Sequence, residues 1–423
     1  MTPRLMTAAL LLTASALPAS AETVRFATYN ASLNRASEGE LRRDMESGSH
    51  AQIAAVSEVI QRIAPDILLI NEFDYDPGVE TLFAQNYLAR PQNVSGMGPT
   101  AGISYDYSFV APSNTGIATG FDLDKDGSIG GGNDAFGFGL FPGQYGMAVS
   151  SRHEILTDRI RTFQTFRWAD MPGARLPVNP DGSPFYTAEE QDILRLSSKS
   201  HWDVPIRIGD SVVHFLVSHP TPPSFDGPED RNGLRNADEI RFWADYISGA
   251  DYIYDDAGVR GGLASGALFV IAGDQNADPH DGDSVDSAIN QLLFHPLIDA
   301  AMPPRSEGGA EAAALQGGAN LTHSGDPAED TADFADTAPG NLRVDYVLPS
   351  HGLAVQEAGV FWPPRADPLS VLTGEYPFPT SDHRPVWIDV AMPAPIPLPA
   401  GAMLLVSGLG GLALLRRRRH HRG

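Results

Sequence analysis

Residues 267–276 read ALFVIAGDQN, so that six apolar residues run directly into a Gly-Asp-Gln-Asn motif. A short apolar run bounded by turn residues predicts a buried β-strand. The polar side chains of Asp274 and Asn276 would then lie at the rim of a sheet. One motif of this kind is weak evidence by itself, because Gly, Asp and Asn are common in ordinary turns.

The same alternation of apolar runs and polar loops continues along the chain. Seven strands are predicted, at residues 24–29, 67–70, 146–150, 212–218, 267–272, 344–348 and 386–390. Helical periodicity predicts helices at residues 49–64 and 236–248. Three long loops rich in Gly, Pro, Asp and Asn are predicted at residues 89–141, 165–200 and 273–343. This mixture favours layered sheets covered by helices.

Short polar motifs accompany these strands, each expected where a strand ends. They supply eight candidate site residues: Asn30, Glu72, His219, Asp274, Asn276, Asp345, Asp382 and His383. Several rims can converge on one hydrated cation, and hard oxygen ligands suit Mg²⁺ or Mn²⁺. Seven such motifs in one order indicate a site for a phosphate ester.

The order of these motifs resembles that of the endonuclease/exonuclease/phosphatase superfamily over residues 24–390. The resemblance implies a four-layered α/β sandwich, in which two packed mixed β-sheets are flanked by helices and carry long loop insertions. It also implies a metal-dependent hydrolase of phosphate esters: a phosphodiesterase, a nuclease or a phosphatase.

The resemblance implies a role for each catalytic candidate. Asp274 and Asn276 would orient the attacking water and the phosphate, and Asp345 would position His383. His219 would contact the scissile phosphate. A histidine fixed by a carboxylate can transfer a proton near neutral pH.

The resemblance also implies the metal ligands. Glu72 would bind the catalytic Mg²⁺ or Mn²⁺, with Asn30 beside it and Asp382 on the metal side of the final histidine. A surface-displayed binding or matrix protein on a degenerate fold of this kind is the alternative, although the presence of the whole set argues against degeneracy.

A second ion site is suggested by residues 122–129, which read DLDKDGSI. Alternate residues Asp122, Asp124, Asp126 and Ser128 match the first ligand positions of a calcium loop. The twelfth position is Asn133, where such loops carry a bidentate glutamate. A structural Ca²⁺ loop and a plain acidic surface turn both remain open.

The two ends of the chain predict export. Residues 1–21 combine Arg4, an apolar stretch and a small-residue cleavage pattern, which is typical of a signal peptide. Residues 393–423 combine a proline motif, an apolar segment and a basic tail, and resemble a VPLPA/PEP-type sorting signal with a transmembrane segment. Residues 22–392 would form the enzyme domain between them.

This sorting signal predicts a cell-surface or extracellular protein, attached to the membrane through its tail before any processing by a sorting protease. A plain C-terminal membrane anchor is the alternative.

The amino-acid composition limits the kinds of substrate and partner that we expect. Without the six arginines of the two ends, 23 Lys and Arg face 53 Asp and Glu, a net charge of −30. No basic run offers a patch for stable duplex binding, so a small phosphoester is favoured while a nucleic acid remains open. Cysteine is absent, so an exported fold would depend on its core and on bound metal. We expect a monomer.

Overall fold

A computed structural model describes residues 22–393 of the chain. The predicted signal peptide, sorting signal and transmembrane segment at residues 1–21 and 394–423 lie outside the described residues. Within residues 22–393, no helix is both long and apolar enough to cross a membrane. Residues Thr23–Met392 form one compact unit.

The regular elements of this unit follow in chain order. The strands are β1 (Thr23–Leu33), β2 (Ile67–Phe73), β3 (Tyr107–Phe109), β4 (Met147–Ser151), β5 (Glu154–Ile155), β6 (Arg161–Thr162), β7 (His201–Ile208), β8 (Ser211–Ser218), β9 (Leu268–Asp274), β10 (Ala332–Asp333), β11 (Asn341–Leu342), β12 (Asp345–Pro349), β13 (Ala354–Val360) and β14 (Val386–Ala391). The α-helices are α1 (Glu40–Ser47), α2 (Ala51–Ile63), α3 (Val79–Phe83), α4 (Ala188–Ile193), α5 (Arg231–Ile247), α6 (Asn290–Leu293) and α7 (Glu307–Gln316).

The strands form two large mixed sheets. The first sheet has the order β13-β14-β1-β2-β4-β3, and the second has the order β12-β9-β8-β7-β5, with β6 also paired to β7. In the first sheet β1 and β2 run parallel, and in the second β8 and β9 do, whereas their other neighbours are antiparallel. The two mixed sheets are those predicted.

The sheets pack face to face through large side chains. Phe26 of the first sheet lies 5.7 Å from Phe215 of the second, and Phe109 meets Trp202 edge-on at 5.0 Å, measured between ring centroids. On the outer faces, α2 buries Ile53, Val56 and Ile60 against the first sheet, and α5 buries Phe242 and Trp243 against the second. The predicted four-layered sandwich is therefore confirmed.

Several predicted elements have different bounds or content. Helix α5 begins at Arg231, five residues before its predicted start. The prediction of one long loop at residues 273–343 was wrong, because this segment contains α6, α7 and two short strands. The sequence EGGAEAAALQ of α7 has too few large apolar residues to show a helical stripe. Strand β7 was also missed, since its Pro205 is unusual inside a sheet.

The prediction that every motif follows the end of a strand was wrong for two motifs. Asp345 begins β12, and His383 precedes β14. These strands run antiparallel to β9 and β1, and Asp345 is paired directly with Asp274. Because the start of an antiparallel strand lies beside the end of its neighbour, all of these motifs still reach the same rim.

One buried amide joins the two sheets beneath that rim. Asn71 of β2 is fully buried, and its Oδ1 accepts hydrogen bonds from the Asp274 amide at 3.2 Å and from the Thr28 hydroxyl at 3.2 Å. Its Nδ2 donates to the Ser218 carbonyl at 3.3 Å. Asn71 thus holds the ends of β8 and β9 against the first sheet.

We expect Asn71→Ala to lower the free energy of unfolding by about 1–3 kcal/mol, because it leaves buried backbone groups of Ser218 and Asp274 without partners. Urea unfolding followed by circular dichroism would measure this change. The exposed Asn93→Ala variant serves as the control. A loss no larger than that of the control would contradict this role for Asn71.

Candidate active site

The site is assembled where β8 and β9 end side by side. Gly273 has φ 145°, and a Cβ at this position would lie 2.0 Å from the Ser218 carbonyl oxygen. Only glycine therefore permits this approach of the two strand ends. The next residues, Asp274 and His219, are brought together as a result.

A single carboxylate oxygen is the centre of the site. Oδ2 of Asp274 lies 3.0 Å from Asn30 Nδ2, 3.4 Å from His219 Nε2 and 3.7 Å from His383 Nε2. These groups come from β1, from the end of β8 and from the loop before β14, and all four residues are buried. The structure therefore brings together four of the predicted site residues around one atom.

His383 is fixed from its other side by Asp345. Its Nδ1 lies 2.8 Å from Asp345 Oδ2, which also accepts a hydrogen bond from the Thr331 hydroxyl at 2.8 Å. Burial alone would lower the pKa of His383, but the negative charges of Asp345 and Asp274 outweigh it and raise this pKa well above its ordinary value. Asp345 thus orients the imidazole of His383 and favours its charged form.

The other two titratable groups at this centre are shifted by burial. Desolvation raises the pKa of Asp274 to about 7, against the opposing charge of His383. Desolvation also lowers the pKa of His219 well below its ordinary value, aided by the positive charges of Lys199 and His383. The pKa values of His219 and His383 are therefore shifted in opposite directions, so the two histidines offer different chemistry.

Carboxylates suited to a cation lie around this centre. Ligand atoms of Asp274, Asp345 and His383 lie within 4.8 Å of one another, and Oδ1 of Asp345 is buried without a hydrogen-bond partner among residues 22–393. This group differs from the predicted ligands Asn30, Glu72 and Asp382. Burial raises the pKa of Glu72, and the nearby charge of Asp382 raises it further. A hard cation fits the carboxylates Glu72 and Asp382, because its positive charge would offset the repulsion between them.

Asn30 connects the two groups of carboxylates. Its Nδ2 donates to Asp274 Oδ2 at 3.0 Å, and its side chain lies close enough to Glu72 to oppose the rise that burial causes in the pKa of that carboxyl. Asp382 is half-buried beside Ser381, and its Oδ1 lies 3.5 Å from the Ser32 hydroxyl. Two hydrogen bonds hold Asn276 nearby. Its backbone amide donates to Asp274 Oδ1 at 2.9 Å, and its Nδ2 donates to the Pro220 carbonyl at 3.1 Å.

The backbone at the rim adopts an unusual conformation at three positions. Ser32, Glu72 and Asn276 have φ values of 47°, 56° and 51°, in the left-handed region that side chains with a Cβ disfavour. Such residues persist where the surrounding structure holds them, and they cluster at functional sites. Two of the three are predicted site residues.

Sequence reasoning missed several residues that support the site. Thr331 fixes Asp345, and Arg384 is fully buried, where it donates to the carbonyls of Ser381 and His383 and to Asp333. Lys199 is buried beside His219. Thr331 and Lys199 come from segments predicted as long loops, where no periodicity pointed to them.

A family model described as "Endonuclease/Exonuclease/phosphatase family" matches residues 27–383. The chain belongs to this family. Its members are hydrolases that act on phosphate esters, and its enzymes use divalent metals. No curated protein matches the chain.

Solved structures of this family are similar at low sequence identity. An endonuclease/exonuclease/phosphatase from Beutenbergia cavernae is 16% identical, with 88% of this chain and 72% of that chain covered and a TM-score of 0.46. Sphingomyelinase C from Streptomyces griseocarneus is 13% identical over 88% and 99% of the chains, with a TM-score of 0.42. A Staphylococcus aureus beta toxin variant with bound magnesium ions is 12% identical over 88% and 100%, with a TM-score of 0.40.

The loop predicted to bind calcium has the expected turn. Carboxylate oxygens of Asp122, Asp124 and Asp126 lie within 4.8 Å of one another, and Gly127 has φ 89°. Asn133 Nδ2 donates to Asp124 Oδ2 at 2.8 Å, and the Ser128 amide donates to Asp126 at 2.8 Å. Hydrogen bonds alone can stabilise such a turn, so calcium binding stays a prediction.

If the loop binds calcium, millimolar Ca²⁺ should raise the melting temperature of the protein, since only the folded state presents the ring of carboxylates. Differential scanning calorimetry would measure the shift, which Asp124→Ala should remove. The exposed Asp336→Ala variant should retain it. A wild-type melting temperature that does not respond to Ca²⁺ would identify an ordinary acidic turn.

The Asp345–His383 pair generates a prediction on pH. His383 has a raised pKa in the folded protein, so its contribution to stability is present at low pH and is lost as the pH rises through this pKa. Asp345→Asn removes a charge that raises the pKa. We therefore expect the imidazole to titrate at a lower pH, and this loss of stability to occur at a lower pH.

Histidine NMR titration of the metal-free protein, with unfolding measured over the same pH range, would test this expectation. Asp336→Asn makes the same chemical change at an exposed position and should leave both curves in place. An unchanged His383 titration in Asp345→Asn would show that the carboxylate does not control it.

Proposed function

We propose that this protein is an exported, metal-dependent phosphoesterase in which water attacks the phosphorus of a phosphate ester. The observation that carries the proposal is the convergence of Asn30, His219 and His383 on one buried oxygen of Asp274. Two histidines whose pKa values are shifted in opposite directions and one amide then surround a single carboxylate. Export is inferred from residues 1–21 and 393–423 of the sequence.

The proposed roles follow from the charge of each group. Asp274 would orient the attacking water and accept its proton, which a carboxyl with a pKa of about 7 can do near neutral pH. His383, held by Asp345, would donate a hydrogen bond from Nε2 to a phosphoryl oxygen as negative charge develops there. His219 and the amide of Asn276 would contact the other phosphoryl oxygens.

A divalent cation fits the same site. Glu72, Asn30 and Asp382 would hold Mg²⁺ or Mn²⁺ and could share it with the group around Asp274. When bound, such an ion polarises the phosphoryl group and offsets its negative charge. The chain's own residues would orient the ester and move the proton.

The substrate class is proposed from the charge of the molecule. A net charge of −30 between the two ends opposes a long polyanion, so a small phosphoester is favoured over duplex DNA. A single-stranded or short nucleic acid remains a second candidate. Location at the cell surface, through the C-terminal tail and a sorting protease, would expose the site to extracellular phosphoesters.

Assays with a chromogenic phosphodiester, a phosphomonoester and plasmid DNA would test the proposal. We expect a chelator to abolish turnover and Mg²⁺ or Mn²⁺ to restore it. Asp274→Ala and His383→Ala should each lower kcat about 10²–10⁴-fold, because each removes a group that moves or stabilises charge in the transition state.

Asp336→Ala and His351→Ala make the same substitutions at exposed positions and should retain full activity. Circular dichroism would show that all four variants are folded. Full activity in excess chelator would contradict the metal requirement, and near-normal turnover of either site variant would contradict the assignment of the site. A protein inactive on all three substrate classes would favour the alternative of a binding module.

A further inference from the structure

Lys199 is a buried basic residue that has no ion-pair partner in the described part of the chain. It lies two residues before β7, its side chain is 7% exposed, and its Nζ donates to the Pro220 carbonyl at 3.3 Å. Among residues 22–393, no carboxylate oxygen lies within 4.0 Å of this Nζ, whereas Lys125 pairs with Glu190 at 2.6 Å. Burying an ammonium group without a counter-ion is costly, so the position calls for a reason.

The carbonyl that Lys199 contacts belongs to the active site. Pro220 follows His219 directly, and its oxygen also accepts a hydrogen bond from Asn276 Nδ2 at 3.1 Å. Lys199 and Asn276 therefore share one acceptor. Burial lowers the pKa of Lys199, although the negative charges of Glu239, Asp274 and Glu72 oppose this shift. The charge of Lys199 in turn helps to lower the pKa of His219. The ammonium group thus lies at the edge of the group centred on Asp274.

The nearest structural explanation is Glu239, which is fully buried in α5. Its two oxygens already accept backbone hydrogen bonds at 2.6 Å, one from Ser198 and one from Thr221. Glu239 therefore anchors Ser198, which precedes Lys199, and Thr221, which follows Pro220. It does not pair with Lys199, although its charge contributes to the field around it.

Two of the long loops cooperate to hold Lys199 in place. Asn114, from the loop at residues 89–141, donates from its backbone amide to the Lys199 carbonyl at 2.8 Å and from Nδ2 to the Ser197 carbonyl at 2.7 Å. Arg195 donates to Asn114 Oδ1 at 2.6 Å. These contacts fix the backbone carbonyls of Ser197 and Lys199.

Composition makes this lysine unusual. The chain has only two lysines, Lys125 and Lys199, among 29 basic residues, so arginine is used almost everywhere else. A lysine presents a compact point charge, whereas the planar guanidinium of arginine needs several acceptors in a fixed arrangement. A compact charge with free N–H groups suits a phosphate oxygen.

We propose that Lys199 binds a phosphoryl oxygen of the substrate and of the released phosphate. The inference rests on the proposed function, because it assigns the same site to a phosphate group. In this arrangement Lys199 supplies positive charge beside Asn276, with which it shares the Pro220 carbonyl. The two loops then hold Lys199 in position beside the active site.

Inorganic phosphate is the probe for the first test. In Mg²⁺-loaded protein, phosphate should raise the melting temperature and inhibit hydrolysis competitively. Lys199→Met keeps the length of the side chain without its charge. We expect it to weaken inhibition by phosphate at least tenfold and to reduce the melting shift, with a larger effect on KM than on kcat.

Lys199→Arg should retain part of the phosphate affinity, because it keeps the charge in a less suitable shape. Arg207→Met removes one positive charge from the exposed end of β7 and should behave as wild type. The phosphate-free melting temperature of Lys199→Met should equal or exceed that of wild type, since an unpaired buried charge is removed. A folded Lys199→Met protein with wild-type phosphate affinity would overturn the proposal.

Amine labelling of the wild-type protein gives a test without any variant. Reductive methylation followed by peptide mass spectrometry reports Lys199 and Lys125 separately. Saturating phosphate should slow the modification of Lys199 severalfold and leave Lys125 unchanged. Equal rates with and without phosphate at Lys199 would count against the proposal even if Lys199→Met failed to fold.

The two proposals fail in different ways. If wild type binds phosphate through Lys199 but hydrolyses no phosphate ester, the phosphate-binding inference holds and the proposed catalytic function fails. If wild type is an active phosphoesterase and Lys199→Met matches it in KM and phosphate inhibition, the catalytic function holds and the inference about Lys199 fails.

Discussion

The site depends on the burial of one carboxylate, Asp274, at the junction of two sheets. A carboxyl group buried away from water is stable only when hydrogen-bond donors surround its charged form or when it is protonated. Asn30 and the two histidines surround its Oδ2, while the Asn276 amide bonds its Oδ1. These groups come from both sheets, so the packing of the sheets and the chemistry of the site are one problem.

That constraint explains several features that have no separate explanation. Gly273 is required because the strand bearing Asp274 approaches the Ser218 carbonyl too closely for any Cβ. Asn71 bonds the Asp274 amide from the other sheet and keeps the strand ends in register. Asp345 pairs with Asp274 across β9 and β12, and it also fixes His383. A displacement of one strand would therefore disturb the hydrogen bonds of all these groups.

The charges of the site are arranged asymmetrically. Carboxylates gather on the side of Glu72 and Asp382, where repulsion favours a bound cation. His383, whose charged form is favoured, is fixed by Asp345, and the buried Lys199 shares the Pro220 carbonyl with Asn276. Acidic and basic groups thus lie close together at the site. This arrangement is useful for a phosphate ester, whose charge must be neutralised without blocking the approach of water.

Much of the fold follows from local sequence. Apolar runs such as residues 267–272 predicted strands that the structure contains, and the order of the motifs predicted the two mixed sheets. Prediction failed where local signals were weak. Helix α7 has few large apolar side chains, and β7 contains Pro205, which a strand inside a sheet rarely tolerates.

The sequence by itself determined which chemical groups are available: the carboxylates, amides and histidines of the short motifs, each beside a strand. Their roles at the site remain predictions from those motifs. The tertiary structure alone decided that Asn30, His219 and His383 meet at one oxygen of Asp274, because that meeting depends on two strand directions and on the packing of two sheets. It also decided the place of Lys199, since hydrogen bonds between distant loops leave no periodic pattern in the sequence.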